Sequence, residues 1–535
     1  MSSLRRKPLR TGFVALAASA ALLLTGALAG CGSTNGTSSS ESSKTKAASS
    51  ASLSEPKRAS VHDPSIVKSG NEYYVFGSHR AYAKSSDMVN WTPFTNNLST
   101  DYEKIFADIW KDWPKQSSNP DVKGNMWAPD VIYNKALKKW TMYLSLNGAE
   151  CRSVIVMLTA DKVDGDWTYV GPVVYSGFNR GNFSSTDVGE VLGEDADLSR
   201  YQSTTDTGIN AIDPTVKYDE NGDLWMTFGS WFGGIWMLKL DANTGLRDYA
   251  TTYPTEPNAS DSYYGHKIAG GFGNSGEGSY LIRDKDYWYL FLSYGHLEQK
   301  GGYQIRMFRS KSITGPYLDE AGHPAVSTSS SANNWTDTTG VKLLSSYQWS
   351  GNKKNDIEVS QGHNSALVDT DGSIYLVYHT RFSDKGEEHQ IRVRQLMPTA
   401  DDWLVAAPYE YRGAKANPKG YKAAQEAGSY ELLTHEQDKY FKGPRKATQK
   451  DSIDYRGVNK PQKIELKADG SITGDVHGSW KASEGSNQVA IELTDGDHPG
   501  SYQGVFAKLP RESDGKQVMT FSAIGSNLCI WGSQY

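Results

Sequence analysis

The chain has 535 residues, a net charge of −5, 11% aromatic residues and 52 glycines. That length and composition suit a β-rich globular protein with a large core and a second domain, and the acidic balance argues against nucleic acid or a polyanion as the main partner. Cysteines occur only at 31, 151 and 529, too far apart for a disulfide framework, and no CxxC, HExxH, GxSxG or glycine-rich phosphate loop is present.

The first 30 residues read as an export signal. Arg5, Arg6, Lys7 and Arg10 precede an apolar run from Phe13 to Leu28, a basic-then-apolar order that ends in small residues. Removing residues 1–30 takes four basic residues and no acidic one, leaving the remainder at −9. Leu28-Ala29-Gly30-Cys31 resembles a bacterial lipobox, which implies a lipidated Cys31 at the outer face of the membrane, or a secreted protein if cleavage is ordinary. Residues 31–57 are mostly Ser, Thr, Ala, Lys and Gly and cannot bury a core, so they are expected to form a flexible tether.

From residue 58 to 412 one pattern recurs five times. The stretch GINAIDPTVKYDENGDLWMTFGSWFGGIWML (208–238) sets a carboxylate before a proline. A short apolar run, a polar Asn-Gly turn and two further apolar runs follow, which is the alternation of antiparallel strands joined by hairpins. Comparable units open at Asp63, Asp130, Glu277 and His363. A sheet-forming unit repeated five times at this length predicts an all-β, five-bladed β-propeller. The starts of the first strands, Asp63, Asp130, Asp213, Glu277 and His363, would then converge on the central channel. Residues 413–429 read as a linker, and short alternating segments from 430 to 535 read as a small, barrel-like all-β module.

Several carboxylates facing one cavity suit glycoside hydrolysis, which needs one ionised and one protonated carboxyl. The motifs His62-Asp63-Pro64-Ser65, Trp127-Ala128-Pro129-Asp130, Ala211-Ile212-Asp213-Pro214 and Gly276-Glu277-Gly278-Ser279 resemble those of glycoside hydrolase family 43. The wider context resembles its extracellular endo-α-1,5-L-arabinanases of the two-domain type. That resemblance implies an inverting mechanism with Asp63 as general base and Glu277 as general acid. Asp213 would tune the proton affinity of Glu277 and orient it. It also implies that His363 helps to hold a calcium ion, coordinated mostly by water, on the channel axis.

Trp127, Trp231 and Phe232 flank the motifs and could stack on sugar faces. By the same likeness Asn210 and Ser230, with Asn147 and His62, are candidate partners of substrate hydroxyls. Arg381 could bind a sugar or pair with a channel acid. The expected substrate is arabinan or arabino-oligosaccharides, handled by a monomer. Exo-acting arabinofuranosidase or β-xylosidase activity stays open, because the sequence does not show how open the groove is. A sugar-capturing lipoprotein without catalysis is disfavoured by the intact trio of acids.

Overall fold

The computed structural model describes residues 55–113, 121–203, 205–329, 339–352, 357–436 and 457–535. The export segment, Cys31 and the tether up to residue 54 lie outside them. Residues 55–57 are already part of the fold, where the Lys57 N–H donates to Asn90 Oδ1 at 3.2 Å.

The hairpins form where turn chemistry permits a reversal. Gly70, at φ 61°, turns β1 (Ser65–Ser69) back on β2 (Glu72–Gly77). The Asp219 carboxylate accepts from the N–H groups of Asn221 and Asp223, both at 2.9 Å, and so closes the turn between β9 (Thr215–Tyr218) and β10 (Leu224–Phe228).

These hairpins extend into antiparallel sheets. One holds β1, β2, β3 (Ala81–Ser85) and β4 (Thr92–Pro93). The next holds β5 (Met126–Asn134), β6 (Lys139–Leu146), β7 (Val154–Ala160) and β8 (Thr168–Tyr175). A five-stranded sheet adds β11 (Ile235–Leu240), β12 (Ser260–Asp261) and β13 (Gly265–Ala269) to β9 and β10. A run of four strands follows, β14 (Glu277–Asp284), β15 (Tyr287–Tyr294), β16 (Gln304–Ser310) and β17 (Val341–Leu344). Last comes the sheet of β18 (Glu358–Val368), β19 (Ile374–Phe382), β20 (His389–Pro398) and β21 (Leu404–Ala406).

The first strands β1, β5, β9, β14 and β18 neighbour one another in that order, and β18 returns to β1. The result is a propeller-like arrangement in which four blades are separate sheets. Two hydrogen bonds join the last sheet to the first: Ile391 N–H to the Ala59 carbonyl and Ile66 N–H to Ser365 Oγ, both at 3.1 Å.

The run β14–β17 is not separate. Through β17 it joins β29 (Leu528–Gln534) of the C-terminal module, so that twelve strands share one sheet. That module contains β22 (Gly428–Thr434), β23 (Gln462–Leu466), β24 (Ser471–Gly474), β25 (Gly478–Ala482), β26 (Gln488–Leu493), β27 (Gly500–Pro510), β28 (Gln517–Gly525) and β29. It closes into a barrel because β29 pairs with both β28 and β22, which removes the exposed edges of the sheet. Tyr430, Trp480, Phe506 and Phe521 fill its core. The barrel begins at Gly428, two residues before the expected start. The stretch 413–429 is pinned rather than free: Ala416 N–H reaches Gln395 Oε1 at 2.9 Å, and Asn487 N–H reaches the Pro418 carbonyl at 3.3 Å. A composition rich in Gly, Lys and Ala reports solvent exposure, which a pinned surface segment shares with a linker.

The two modules share a core in which Tyr347, Trp349 and Leu404 of the propeller pack with Leu433, Cys529 and Trp531 of the barrel. A buried charge network runs beside it. Fully buried Arg394 donates to the hydroxyls of Tyr378 (2.8 Å) and Tyr347 (2.5 Å) and to the Ala407 carbonyl (3.0 Å). Its guanidinium also lies 3.5 Å from Glu358 and 3.8 Å from Glu512. Removing one partner of a buried ion pair strands the other's charge. Arg394→Met is therefore expected to destabilise the protein by about 3–5 kcal/mol, read as a lower urea midpoint. An unchanged midpoint would show that the network carries no net stability.

Candidate active site

Each first strand of the propeller has a residue with left-handed backbone before it or within it: Asp63 (φ 53°) and Asp213 (58°) stand two residues ahead of β1 and β9, and Ala128 (41°), Gly278 (59°) and His363 (44°) lie inside β5, β14 and β18. For a residue with a Cβ this conformation costs roughly 1–2 kcal/mol, and such strain concentrates at functional sites. The kink turns the chain sharply at that end of the strand. Proline follows at 64, 129 and 214.

This register corrects the expected starts. The residue equivalent to Asp63 and Asp213 is Ala128, not Asp130, and Asp130 lies two residues further into its strand. Asp130 is 1% exposed, accepting from Ser65 Oγ at 2.5 Å and from Val216 N–H at 2.8 Å. It ties β1 and β9 to β5. Aligning the units on their prolines would have found the offset. Glu277 likewise precedes the kinked residue, Gly278.

Asp63, Asp130, Asp213 and His363, all expected at the channel, line it with Ala128, Gly278 and Asn364. Its free space is ≈ 240 Å³ counting the open mouth. Glu277 is not among the lining residues. A bulge between Glu277 and Tyr280 breaks the register of β14 on β15, and bulges re-aim side chains. The Glu277 carboxyl instead meets Ser230 Oγ and Trp231 Nε1, each 3.0 Å from Oε2, and Tyr303 OH, 2.7 Å from Oε1.

Asp63 has a different environment. His62 Nδ1 lies 2.7 Å and His363 Nδ1 3.0 Å from its Oδ1, and Ser78 Oγ donates to Oδ2. Its N–H donates to His379 Nδ1 at 3.3 Å. Burial by itself would raise the Asp63 carboxyl, but the charges and hydrogen bonds of His363 and His62 hold it well below the usual range. Burial pulls the other way on His363, yet Asp63 and Asp213 push its imidazole up to about 9. Asp213 is pushed up to about 7, first by burial and then, against the pull of His363, by the charges of Glu277 and Asp63. Gly278 N–H donates to Asp213 Oδ2 at 3.2 Å.

The remaining candidates sit around this cluster. Trp231 stacks on His296 with centroids 5.1 Å apart, and Phe232 is 38% exposed beside it. Trp127 is half-buried and donates to the Gly124 carbonyl at 2.9 Å. Asn147 and Asn210 are brought together, Nδ2 of Asn210 lying 3.1 Å from Oδ1 of Asn147, with Ser153 Oγ 2.6 Å from Asn210 Oδ1. His62 stacks on His379 at 4.0 Å, so both of its faces and Nδ1 serve the Asp63 cluster as much as a ligand. Arg381 pairs with Glu387 at 3.2 Å and donates to the Leu297 carbonyl at 2.7 Å, rather than to a channel acid. Sequence reasoning missed Ser78, Tyr303 and His379. His379 is a lone histidine in a strand whose other residues are buried, which is a signal available in advance; Tyr303 offered none beyond its place before β16.

Two donor sets could hold a metal. A ring nitrogen of His62, a ring nitrogen of His379 and an Asp63 oxygen lie within 4.8 Å of one another, while Nδ1 of each histidine already contacts Asp63. The channel offers harder donors: Asp63, Asp213 and Asn364, whose buried Oδ1 has no hydrogen-bond partner, beside His363. Oxygen donors of this kind fit a hard divalent cation.

A propeller-like β fold whose channel holds Asp63 and Asp213, with the Glu277 carboxyl beside it, sets buried carboxyls in contrasting environments, the arrangement that proton-transfer catalysis uses. Residues 57–197 and 191–404 match the family model described as glycosyl hydrolases family 43, and residues 408–532 match a C-terminal lipocalin-like domain. The chain belongs to glycosyl hydrolases family 43. It is similar to the extracellular endo-alpha-(1->5)-L-arabinanase of Thermotoga petrophila, 35% identical over 89% of this chain and 93% of that one. Extracellular endo-alpha-(1->5)-L-arabinanase 2 of Bacillus subtilis is 34% identical over the same shares. The crystal structure of endo-1,5-alpha-L-arabinanase from Thermotoga petrophila superposes with a TM-score of 0.73 at 33% identity, covering 90% of this chain and 99% of that one.

The Asp213 shift has a thermodynamic consequence. A carboxyl raised from 3.8 to about 7 in the folded state keeps its proton where the unfolded chain has lost it. Its stabilising contribution is complete below pH 4 and is lost as pH rises to 7. In chelator, the unfolding temperature of the wild type should fall relative to Asp213→Asn between pH 4 and pH 8. Parallel profiles would remove the raised proton affinity of Asp213.

Proposed function

We propose that the protein is an inverting, endo-acting glycoside hydrolase that cleaves internal α-1,5-L-arabinofuranosidic bonds of arabinan outside the cell. The observation that carries this is the contrast between the Asp63 carboxyl in the channel and the Glu277 carboxyl beside it. Asp63 is clasped by imidazoles that favour its anion, and Glu277 is held by three neutral donors. Family membership and full-length relatives named as endo-arabinanases support the substrate and the endo mode over the exo alternatives.

In this reading Asp63 takes a proton from water as the oxygen bonds to the anomeric carbon. Glu277 gives its proton to the leaving glycosidic oxygen as the carbon–oxygen bond breaks. Asp213 is their electrostatic partner, coupled to Glu277 by charge. Trp127, Trp231 and Phe232 offer sugar-facing surface, and Asn147, Asn210, Ser230 and His62 offer polar contacts. The propeller is read as five-bladed, with β14–β17 as one blade, which the unbroken succession of first strands supports. It spans 58–412, followed by 413–429 and the barrel module of 430–535. Cys31 is read as lipidated, holding the enzyme on the outer face of the membrane through the tether.

On linear arabinan the purified protein should release a ladder of oligosaccharides; a single small product from the first minutes would mean exo action. Glu277→Gln should lose about 100- to 10,000-fold on arabinan and far less on an aryl arabinofuranoside with an activated leaving group. Equal losses on both would remove Glu277 as the acid.

Calcium is proposed on the channel axis, held by His363 and mostly by water, with the unpartnered Oδ1 of Asn364 as an oxygen donor beside it. When bound, the dication would offset repulsion among the acids. His363→Ala, or chelation of the wild type, should cut arabinan hydrolysis while circular dichroism stays unchanged, and added calcium should restore the chelated enzyme. Protein without stoichiometric calcium by elemental analysis that loses nothing to chelator would return His363 to its contact with Asp63.

A further inference from the structure

Oε2 of Glu277 receives two hydrogen bonds, from Ser230 Oγ and Trp231 Nε1, and Oε1 receives one, from Tyr303 OH. The three donors are not equivalent. An indole N–H can only donate, whereas a hydroxyl can donate or accept. A proton on Oε2 would face the fixed Trp231 N–H in a site already occupied twice. A proton on Oε1 meets a phenol that can turn its hydrogen away and accept instead. We propose that Tyr303 is the positioning residue that selects Oε1 as the oxygen of Glu277 that carries and delivers the proton, by reversing the direction of its hydrogen bond. This deepens the reading of Glu277 as general acid and rests on it.

The placement of Tyr303 suits such a role. Its ring is 1% exposed and stacks on His379, centroids 5.9 Å apart, and His379 in turn accepts the Asp63 N–H. On another side it fills the space of a missing side chain. A Cβ on Gly362 would stand 2.0 Å from the Tyr303 ring, so only glycine at 362 leaves the phenol room where it is. Burial also keeps the phenol protonated, and so it always has one hydrogen to place. With Glu277 ionised, that hydrogen points at Oε1. With Oε1 protonated, the carboxyl O–H is free for the glycosidic oxygen or for the phenol oxygen. On proton transfer the glycosidic carbon–oxygen bond breaks, the leaving oxygen gains the hydrogen, and Tyr303 again donates to the new carboxylate. No net proton leaves the phenol.

Tyr303→Phe keeps the ring against His379 and Gly362 and removes only the hydroxyl. In the full chain it should lower kcat on arabinan about 10- to 100-fold with little change in KM. It should lower turnover of an activated aryl arabinofuranoside less than about threefold, because that leaving group needs little protonation. Equal losses on both substrates, or a loss confined to KM, would overturn the proposal. Infrared spectroscopy supplies a readout that needs no substrate: the carboxyl band that disappears in Glu277→Gln should shift in Tyr303→Phe. An unmoved band overturns the Tyr303 assignment. If wild-type protein leaves arabinan untouched while the band shifts, the substrate reading fails and the contact stands.

Discussion

Everything at the channel depends on the sharp backbone kink at the channel end of each first strand. Five chain segments approach one axis, and each must change direction abruptly to enter its sheet. Left-handed residues at 63, 128, 213, 278 and 363 do this. Four of the five carry side chains, and strain of this size persists only where surrounding structure over-determines it. The neighbouring first strands supply that restraint. The kink also sets side-chain direction: Asp63, Asp213 and His363 face the channel, whereas Glu277, one residue before its kink, reaches Ser230, Trp231 and Tyr303 instead.

The carboxyls would repel one another if all were ionised and unpartnered. Their burial is made tolerable by unequal surroundings. Asp63 collects two imidazoles and a serine hydroxyl, Glu277 collects neutral donors, and Asp213 has one backbone N–H and a raised proton affinity. Carboxyls of one chemistry are thereby pushed apart in behaviour by environment. Asp130 shows the other outcome: with both oxygens committed to Ser65 and Val216, it is part of the scaffold.

The barrel is built into the propeller rather than hung from it. The β17–β29 pairing continues one sheet across both modules, Trp531 and Cys529 share a core with Tyr347 and Trp349, and Glu512 lies within reach of Arg394. Its strand β29 pairs with β17, β17 pairs with β16, and Tyr303 stands directly before β16.

The sequence by itself determined the hairpins, the recurrence of the sheet-forming unit and the all-β class, because alternation and turn residues act over a few positions. Asp219 closing its own turn is such a case. It read the acid rather than the proline as the repeat's marker, and so set the start of the second unit two residues late, at Asp130. Only the tertiary structure decided which groups meet: Asp63 with His379 across 316 residues, Arg381 with Glu387 rather than with a channel acid, and Tyr303 with Glu277. The reason is physical. Those contacts exist only after the ring of first strands closes, and no local preference in the chain encodes the distance between residues that closure brings together.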